Sequence, residues 1–352
     1  MSLRRSTYGD YFDTHGYRWS GSGQKCIQVH GIDVDGKKTF NKKLRREDVK
    51  RFFQDLPPCA VAMEAGSACH FWAREISALD HQTMILPGQY VKPFVKRDKT
   101  DAIDAQAIAI AATQADMPSV PVKSVEQQAL TVLIKTRALF IRQRTKAFQA
   151  LRSHLAEFGI ITGTGISKVE RLAIDLRDSA IQGIPPTVRD TILAIYEEIE
   201  ALDIKITRFE RELASLSKQE DDTRRLLDVP GIGPITASTI KAYVPDATIF
   251  RSSRQFASWL GLVPRVNNSG GKSRSGSISK RGNPDLRALL FLSGMRLVRQ
   301  AKAKAQTVDT WLTRLAERRP YKVAAIAAAN KIARVVWALL RSGGVYQTPT
   351  QA

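Results

Sequence analysis

The chain has 352 residues, which is long enough to bury a sizeable core and to form two or three domains. Its hydrophobic content of 43% and charged content of 25% are those of a globular protein, so a disordered chain is excluded. With 54 Lys and Arg against 34 Asp and Glu, the formal net charge is +20, and a field of this sign favours a polyanion such as nucleic acid. The alternative is a basic surface that serves solubility or ribosome contact, but the clustering of the basic residues favours nucleic acid.

The cysteines and the most apolar segment indicate the compartment. The three cysteines are odd in number and form no CxxC pair, so neither a disulfide framework nor a zinc knuckle is predicted. The apolar stretch 323–340 contains Lys331 and Arg334, which predicts an amphipathic helix and not a membrane span. The N-terminus lacks the apolar core of a signal peptide. We therefore expect a cytoplasmic protein with no membrane partner.

The first third of the chain alternates strand and helix patterns. Strands are predicted at 26–34, 38–44, 60–63, 83–86 and near Val120, and helices at 47–56, 68–79 and 101–115. Two strands followed by strand–helix alternation indicate an α/β domain with a mixed sheet over 24–123, and the order matches that of a ribonuclease-H-like domain. Residues 1–23, which are unpatterned and rich in Gly, Ser and Tyr, are predicted to be a poorly ordered tail.

The rest of the chain is predicted to be helical, so that the fold class is α/β plus all-α. Residues 124–220 give a helical arm whose apolar spacing is close to the heptad seam of a coiled coil suited to dimerisation. Two helices of a bundle are the alternative. The arm begins with a basic helix, on which Arg142 and Arg144 are candidate nucleic-acid contacts. Residues 221–345 form a second helical domain with a Gly/Ser-rich interruption at 267–282, and 346–352 are a tail.

Three carboxylates are the first candidates for chemistry. Glu64 follows an apolar run, at the carboxyl end of a strand, where α/β sheets place their working side chains. Asp101 and Asp104 share one face of the first turn of a helix, where capping is their alternative role. The preceding loop is crowded with basic residues, namely Lys92, Lys96, Arg97 and Lys99. Phosphate-binding cations beside paired carboxylates are typical of a phosphoryl-transfer site that uses Mg²⁺.

A pair of glycines is the second candidate. In Pro230-Gly-Ile-Gly, Gly231 and Gly233 lie between two predicted helices, where they let backbone N–H groups approach a phosphate. The pattern resembles a helix–hairpin–helix DNA-binding motif. A plain helix–helix turn is the alternative.

The Gly/Ser-rich interruption, interpreted as a flexible loop, is the third candidate. It presents Ser269 among the cations Arg265, Lys272, Arg274, Lys280 and Arg281. Cations favour the alkoxide form of a serine and stabilise the charge that develops on an attacked phosphodiester, so Ser269 is a candidate nucleophile. The residues alone favour the alternative, a basic loop that only grips a phosphate backbone. ATP binding is excluded, because Val266 stands where a P-loop needs glycine.

Eight motifs, in order, resemble the transposases of insertion-sequence family 110, especially its 1111 subgroup. The resemblance runs from about Lys25 to Arg341. The motifs are Gln28-Val-His-Gly, Leu56-Pro-Pro-Cys, Met63-Glu-Ala, Gln89-Tyr-Val-Lys-Pro-Phe, Lys99-Thr-Asp-Ala-Ile-Asp-Ala, Pro230-Gly-Ile-Gly, Trp259-Leu-Gly-Leu-Val-Pro-Arg and Ile278-Ser-Lys-Arg-Gly-Asn.

The resemblance implies an N-terminal part similar to the Holliday-junction resolvase RuvC, with an Asp-Glu-Asp-Asp metal site, and a C-terminal part with a serine nucleophile. Glu64, Asp101 and Asp104 match the second, third and fourth carboxylates, and Ser269 matches the nucleophile. The implied chemistry is cleavage through a covalent phosphoserine, with Mg²⁺ or Mn²⁺ held by the carboxylates, followed by strand exchange. The implied partners are double-stranded DNA, a structured non-coding RNA that bridges donor and target DNA, and further copies of the chain in dimers or a tetramer. The serine of one subunit would face the carboxylates of another, in a bacterial protein associated with the nucleoid.

The family's first carboxylate has no counterpart here. It lies nine residues before the His of Gln-Val-His-Gly, and counting back from His30 gives Gly21, whereas Asp33 lies too far along the chain to replace it. Codons for 19–27 can be chosen so that a neighbouring frame reads Gly-Val-Asp-Leu-Ala-Lys-Asn-Val, so our hypothesis is that an insertion or deletion before Gln28 shifted the reading frame of the first residues. Three carboxylates leave metal coordination incomplete, which predicts near-normal folding and nucleic-acid binding but strand transfer reduced by orders of magnitude.

Two other functions stay open. A catalytically silent remnant would use the basic helix and the glycine turn to bind DNA or RNA without chemistry. A junction-resolving nuclease acting through metal-activated water would tolerate loss of Ser269 but not of Asp101.

Overall fold

The computed structural model describes residues 14–19, 26–96, 100–163, 165–178, 181, 183–269, 272–303 and 310–347, and of residues 14–19, 166, 266–269 and 272–275 it describes only the backbone. The chain divides into two compact units, Met1–Val125 and Glu126–Ala352.

The N-terminal unit is built on a five-stranded mixed sheet. Its strands are β1 (Thr14–Trp19), β2 (Cys26–Ile32), β3 (Lys38–Arg45), β4 (Ala60–Glu64) and β5 (Gln82–Leu86), in the order β3-β2-β1-β4-β5. The pairs β1–β2 and β2–β3 are antiparallel, whereas β1–β4 and β4–β5 are parallel. This mixed α/β arrangement is consistent with the expected ribonuclease-H-like fold. Near Val120 there is a single antiparallel bridge to Ile85 where a short strand was predicted.

Strand β1 lies inside the range 1–23, where the sequence predicts a poorly ordered tail, so the structure differs from the prediction at this point. Gly16 pairs with His30 of β2 on one side and with Ala62 of β4 on the other. The strand owes its place to these two ladders, which the local apolar pattern of Thr14–Trp19 does not reveal.

Helices cover both faces of this sheet. They are α1 (Val49–Gln54), α2 (Cys69–Ser77), α3 (Gly88–Val91) and α4 (Asp101–Ala112), together with 3₁₀ turns at Arg46–Asp48 and Lys92–Phe94. On one face, Phe53 of α1 and Trp72 of α2 share a core with Val61 of β4. On the other face, Ile108 of α4 packs in a core with Ala62 of β4. The sheet is therefore the middle of three layers, with α4 on the face opposite α1 and α2.

The C-terminal unit begins with three helices, α5 (Val125–Ala156), α6 (Ile166–Arg177) and α7 (Pro186–Gln219). Helices α5 and α7 run antiparallel, because Arg137 pairs with Glu210 while Arg144, one heptad later, pairs with Asp203. The predicted heptad-like spacing falls on five apolar residues of α7, of which Ile192, Ile199, Leu202 and Ile206 are buried and Ile195 is half-buried. Most of the apolar positions that the sequence predicts for this helix are therefore buried.

The remainder of the unit is a helical domain with one hairpin. Its elements are α8 (Asp221–Leu227), α9 (Pro234–Tyr243), α10 (Ser253–Trp259), β6 (Pro264–Ser269), β7 (Lys272–Ile278), α11 (Pro284–Ala303), α12 (Trp311–Arg318) and α13 (Tyr321–Ser342). Helix α13 is long and apolar enough to cross a membrane by length and composition alone, but one of its faces is buried in this unit. It crosses α11 so closely that a Cβ on Gly294 would overlap the carbonyl oxygen of Ala325. It is therefore the central helix of the unit.

The Gly/Ser-rich interruption is an antiparallel hairpin, so the prediction of a flexible loop was wrong. Strands β6 and β7 pair from Pro264–Ile278 at the foot to Ser269–Lys272 at the tip. The two residues between Ser269 and Lys272 are glycines, a sequence that two-residue hairpin connections favour. The ladder of backbone hydrogen bonds outweighs the low strand propensity of a stretch rich in Ser and Gly.

Candidate functional site

Glu64 ends β4, at the position that the sequence predicts. It is in register with Leu86 of β5, and the next residue, Ala65, donates its N–H to the Leu86 carbonyl at 2.8 Å. The Glu64 carboxylate lies against Gly88, the first residue of α3, so closely that a Cβ there would overlap Oε1. The half-buried carboxylate is thus held at the carboxyl end of an interior strand, and glycine at position 88 leaves room for it.

Asp101 and Asp104 both lie in the first turn of α4, as predicted. Thr100 is the N-cap, because its hydroxyl accepts from the N–H of Ile103 at 3.3 Å, so Asp101 is the first helical residue and not the cap. Asp101 is half-buried, whereas Asp104 is only 3% exposed. Both carboxylates are favoured by the helix dipole, and Asp104 is enclosed by the packing of α4.

The three carboxylates have the right chemistry for a hard divalent cation, which prefers oxygen ligands. In the part of the chain that the structure describes, no three His, Cys, Asp or Glu side chains come close enough together to hold a metal ion. The described residues of this unit therefore do not form a metal centre by themselves.

The register of β1 shows which position lies beside Glu64 in the sheet. Tyr17 pairs with Met63, so the next position, Arg18, falls beside Glu64, and the six residues of β1 include neither Asp nor Glu. Gly21, where counting places the missing carboxylate, lies outside the described residues. Asp33 is not a substitute, since its Oδ1 accepts from the N–H groups of Asp35 at 3.0 Å and Lys37 at 2.8 Å in the β2–β3 turn. The strand next to Glu64 thus offers no acidic side chain.

The predicted phosphate contacts of the first unit and of the arm fall into different environments. Lys96 is exposed in the loop before α4, and Arg97 lies outside the described residues. Arg142 is exposed on α5. Arg144 instead forms an ion pair with Asp203 of α7, so its guanidinium is already engaged in packing the arm. Of the two arm arginines, Arg142 is the one whose side chain faces solvent.

The glycine turn connects α8 and α9. Gly231 has a φ of +90°, and a Cβ on it would lie 3.4 Å from Ser293 and Leu297 of α11. Gly233 is the N-cap of α9, and nothing lies within 4 Å of its would-be Cβ. The first glycine thus serves the turn and its contact with α11, while the second opens the helix N-terminus to its surroundings.

Ser269 ends β6 at the tip of the hairpin, opposite Lys272, and Arg274 follows on β7. The side chains of these three residues lie outside the described part of the chain. At the foot, the exposed Arg265 donates to the Ser279 carbonyl at 3.3 Å, and Lys280 and Arg281 are exposed. The hairpin therefore carries the candidate serine at one end and a group of cations at the other.

The sequence predictions missed a second group of cations. Lys322, Lys331 and Arg334 of α13 line a groove at the foot of the hairpin, together with Lys280. The available signal was the placement of Lys331 and Arg334 three residues apart on an alanine-rich helix, which puts both on one face. That spacing had served only to exclude a membrane span.

Comparison with known proteins gives the family. A model described as "Transposase IS116/IS110/IS902 family" matches residues 223–308, and a DEDD transposase model of the IS110 group matches residues 22–160, beginning just after β1. The DEDD match implies a dependence on divalent metal.

Three relatives extend the similarity to most of the chain. A probable family 20 transposase of Pseudomonas aeruginosa is 41% identical over 92% of this chain and 96% of its own length. The transposase of insertion sequence IS1328 from Yersinia enterocolitica is 35% identical over 92% and 96%, and that of IS1111A from Coxiella burnetii is 36% identical over 91% and 88%. The chain therefore belongs to the IS110 family of insertion-sequence transposases, enzymes that recombine DNA.

Proposed function

We propose that this transposase cuts and rejoins DNA through a covalent bond between a DNA phosphate and Ser269. The observation that supports this most directly is the placement of Ser269 at the end of β6, beside the tip of a hairpin whose foot carries exposed cations. A hairpin tip can enter a DNA groove, and cations along it can hold the phosphate backbone.

The proposed chemistry keeps the energy of the phosphodiester bond in the covalent bond between Ser269 and the DNA phosphate. Ser269 Oγ forms a bond to phosphorus, the P–O bond to the leaving nucleotide breaks, and the leaving oxygen takes up a proton. Attack on the phosphoserine by the hydroxyl of a second strand reverses these steps and frees the serine. No external energy source is needed, which agrees with the lack of a P-loop pattern in the sequence.

Glu64, Asp101 and Asp104 are the residues that we assign to a divalent ion, Mg²⁺ or Mn²⁺. Such an ion, when bound, supplies Lewis-acid stabilisation of charge on phosphate oxygens. The set lacks a ligand, because β1 has no carboxylate beside Glu64. We therefore propose that the chain binds its substrates normally but transfers strands at a rate reduced by orders of magnitude.

The other proposed contacts concern recognition. The net charge of +20, the exposed Arg142 and the open N-terminus of α9 at Gly233 support contacts to double-stranded DNA, with α8 and α9 acting as a helix–hairpin–helix. Guidance by a structured RNA rests on the family resemblance alone. The antiparallel helices α5 and α7 are the proposed coiled coil through which copies of the chain associate in dimers or tetramers.

The nucleophile can be tested with end-labelled DNA that carries the element's junction, incubated with Mg²⁺ or Mn²⁺ and the element's RNA. We expect a protein–DNA adduct that survives denaturation, and the Ser269→Ala variant should form it at least about 10³-fold less. Ser273→Ala, on the facing strand of the same hairpin, is the matched control and should retain the adduct. An adduct that persists in Ser269→Ala would contradict the proposed nucleophile.

A second candidate, a silent nucleic-acid-binding remnant, is favoured by one observation, the acid-free strand β1. A silent remnant would bind DNA and RNA normally but would form no protein–DNA adduct with either Mg²⁺ or Mn²⁺. The nuclease alternative predicts nicking that continues in Ser269→Ala but stops in Asp101→Asn.

A further inference from the structure

The C-terminal unit contains a groove of which the proposed chemistry uses only the foot cation Lys280. It has a volume of about 1200 Å³ and is lined by residues of α10, the β6–β7 hairpin, α12 and α13. This is larger than pockets for small molecules, which measure about 300–1,000 Å³. The groove therefore has room for a segment of a polymer.

The floor of the groove is apolar. Val323, which is 52% exposed, and the half-buried Ile278 and Ile326 line it, whereas Leu262, which also lines it, is only 2% exposed. The amide of Asn330 donates to the Leu262 carbonyl at 3.3 Å, which fixes α13 against the foot of the hairpin. Covering this exposed apolar surface with the apolar or aromatic surface of a ligand would be favourable.

The charged residues of the groove all have the same sign. Lys280, Lys322, Lys331 and Arg334 line it, and none of its described lining residues is Asp or Glu. Arg334 Nε lies 3.5 Å from Ser253 Oγ, and no carboxylate pairs with it among the described ion pairs. Four cations around an apolar floor are complementary to a ligand that has both negative charge and flat apolar faces.

The groove is also lined by an exposed aromatic side chain, that of Trp311. Trp311 is 40% exposed at the start of α12, and a capping box between Thr310 and Thr313 fixes that end of the helix. The ammonium of Lys331 lies 4.7 Å from the centre of the indole ring. An exposed indole beside cations is the arrangement on which single-stranded nucleic acids stack their bases.

We propose that this groove binds a single-stranded segment of DNA, with bases against Trp311 and the apolar floor and phosphates against the four cations. A duplex could use the cations but not the floor, because its bases are stacked inside. The choice of DNA over RNA rests on the proposed function, since the same hairpin that lines the groove carries Ser269, and strands freed by cutting would lie beside it.

The test measures binding by fluorescence anisotropy of the full chain with labelled probes of about 12 nucleotides, a length within the range of single-strand sites. The probes are oligothymidine, an abasic strand of the same length, the matching DNA duplex and an oligouridine RNA. We expect wild type to bind oligothymidine several-fold more tightly than the abasic strand. Trp311→Ala should weaken oligothymidine binding at least about 5-fold and leave the abasic strand unchanged, while Trp311→Phe should keep most of the preference.

The cations are tested separately. Lys331→Gln should weaken the binding of both oligothymidine and the abasic strand. It should also reduce the steepness of log affinity against log salt concentration by about 0.7. Arg296→Gln, an exposed cation of α11 that does not line the groove, should leave the preference for oligothymidine unchanged. Circular dichroism of each variant verifies that the fold is retained.

Three outcomes would overturn the proposal. The first is that Trp311→Ala still prefers oligothymidine to the abasic strand. The second is that wild type binds the RNA more tightly than the DNA. The third is that Trp311→Ala changes the oligomeric state but not strand binding, which would assign the groove to a second copy of the chain. None of these depends on cleavage. If the preference for oligothymidine is absent but the Ser269-dependent adduct forms, only the groove proposal is contradicted. If the preference is present but no such adduct forms, only the proposed function is contradicted.

Discussion

The two units hold their candidate chemistry on different kinds of scaffold. In the N-terminal unit, Glu64 ends an interior strand and Asp104 is buried in the first turn of α4, so the packing of the core fixes these carboxylates. In the C-terminal unit, Ser269 ends a strand of an isolated two-stranded sheet. We therefore expect a change at Asp104 to affect folding as well as the proposed chemistry.

The largest effect is expected from giving β1 a carboxylate beside Glu64. The register puts position 18 there, so we expect Arg18→Asp to supply the proposed missing carboxylate and to raise metal-dependent adduct formation by roughly 10²- to 10³-fold. The measurement is the Mn²⁺ dependence of the adduct, together with Mn²⁺ binding by calorimetry.

Gly21→Asp is the matched variant, since counting along the sequence puts the carboxylate there. A gain in Gly21→Asp and none in Arg18→Asp would show that the register of β1 in the active protein differs from the one described. If neither variant forms more adduct than wild type, the hypothesis that a missing carboxylate limits activity is contradicted.

Much of the fold follows from local sequence pattern. The apolar runs at 26–34 and 60–63 predict β2 and β4 because each buries a face of the sheet, and Thr100-Asp101 opens α4 because the hydroxyl caps it. Strand β1 was missed because Thr14–Trp19 depends on two neighbours distant in sequence. The β6–β7 hairpin was missed because its polar ladder gives no apolar alternation.

The candidate site was less predictable than the fold. The sequence places Glu64 at a strand end and Asp101 in a helix start, but the distance between them depends on long-range packing that spacing cannot give. Arg142 and Arg144 look alike in the sequence, yet only the structure shows that Arg144 pairs with Asp203, 59 residues later. The sequence contains the groove cations but does not predict that they lie close together, since Lys280 and Arg334 come from separate elements.

A second prediction compares glycines of the two units. Gly282, at the foot of the hairpin, has a φ of +80°, and a Cβ there would overlap the carbonyl oxygen of Trp259. Gly282→Ala should destabilise the C-terminal unit by about 2–4 kcal/mol, because both the strained φ and the overlap must be relieved by moving backbone. Urea unfolding followed by circular dichroism measures this.

Gly36 in the β2–β3 turn is the control, since its φ is +75° but nothing lies within 4 Å of its would-be Cβ. Gly36→Ala should cost only the strain of the left-handed conformation, about 1 kcal/mol. Equal losses in both variants would mean that the hairpin foot yields easily and does not fix the position of Ser269.

The smallest effect concerns pH and the N-terminal unit. His30 of β2 is 2% exposed, and within the described residues neither ring nitrogen has a hydrogen-bond partner. Burial, and to a lesser extent the nearby Lys38, lower the pKa of His30 below its ordinary value of 6.5. The unfolded chain therefore binds a proton at this ring at pH values where the folded chain does not, and stability falls as the pH drops below about 6.5.

His30→Leu should remove this contribution, because an apolar side chain in the same place binds no proton in either state. Urea unfolding of wild type at pH values from about 7.5 to 5 should show the loss, and the variant should show a smaller one. If His30→Leu keeps the full slope, the proton is taken up elsewhere, and the carboxylate-bearing unit owes its pH response to groups other than this buried imidazole.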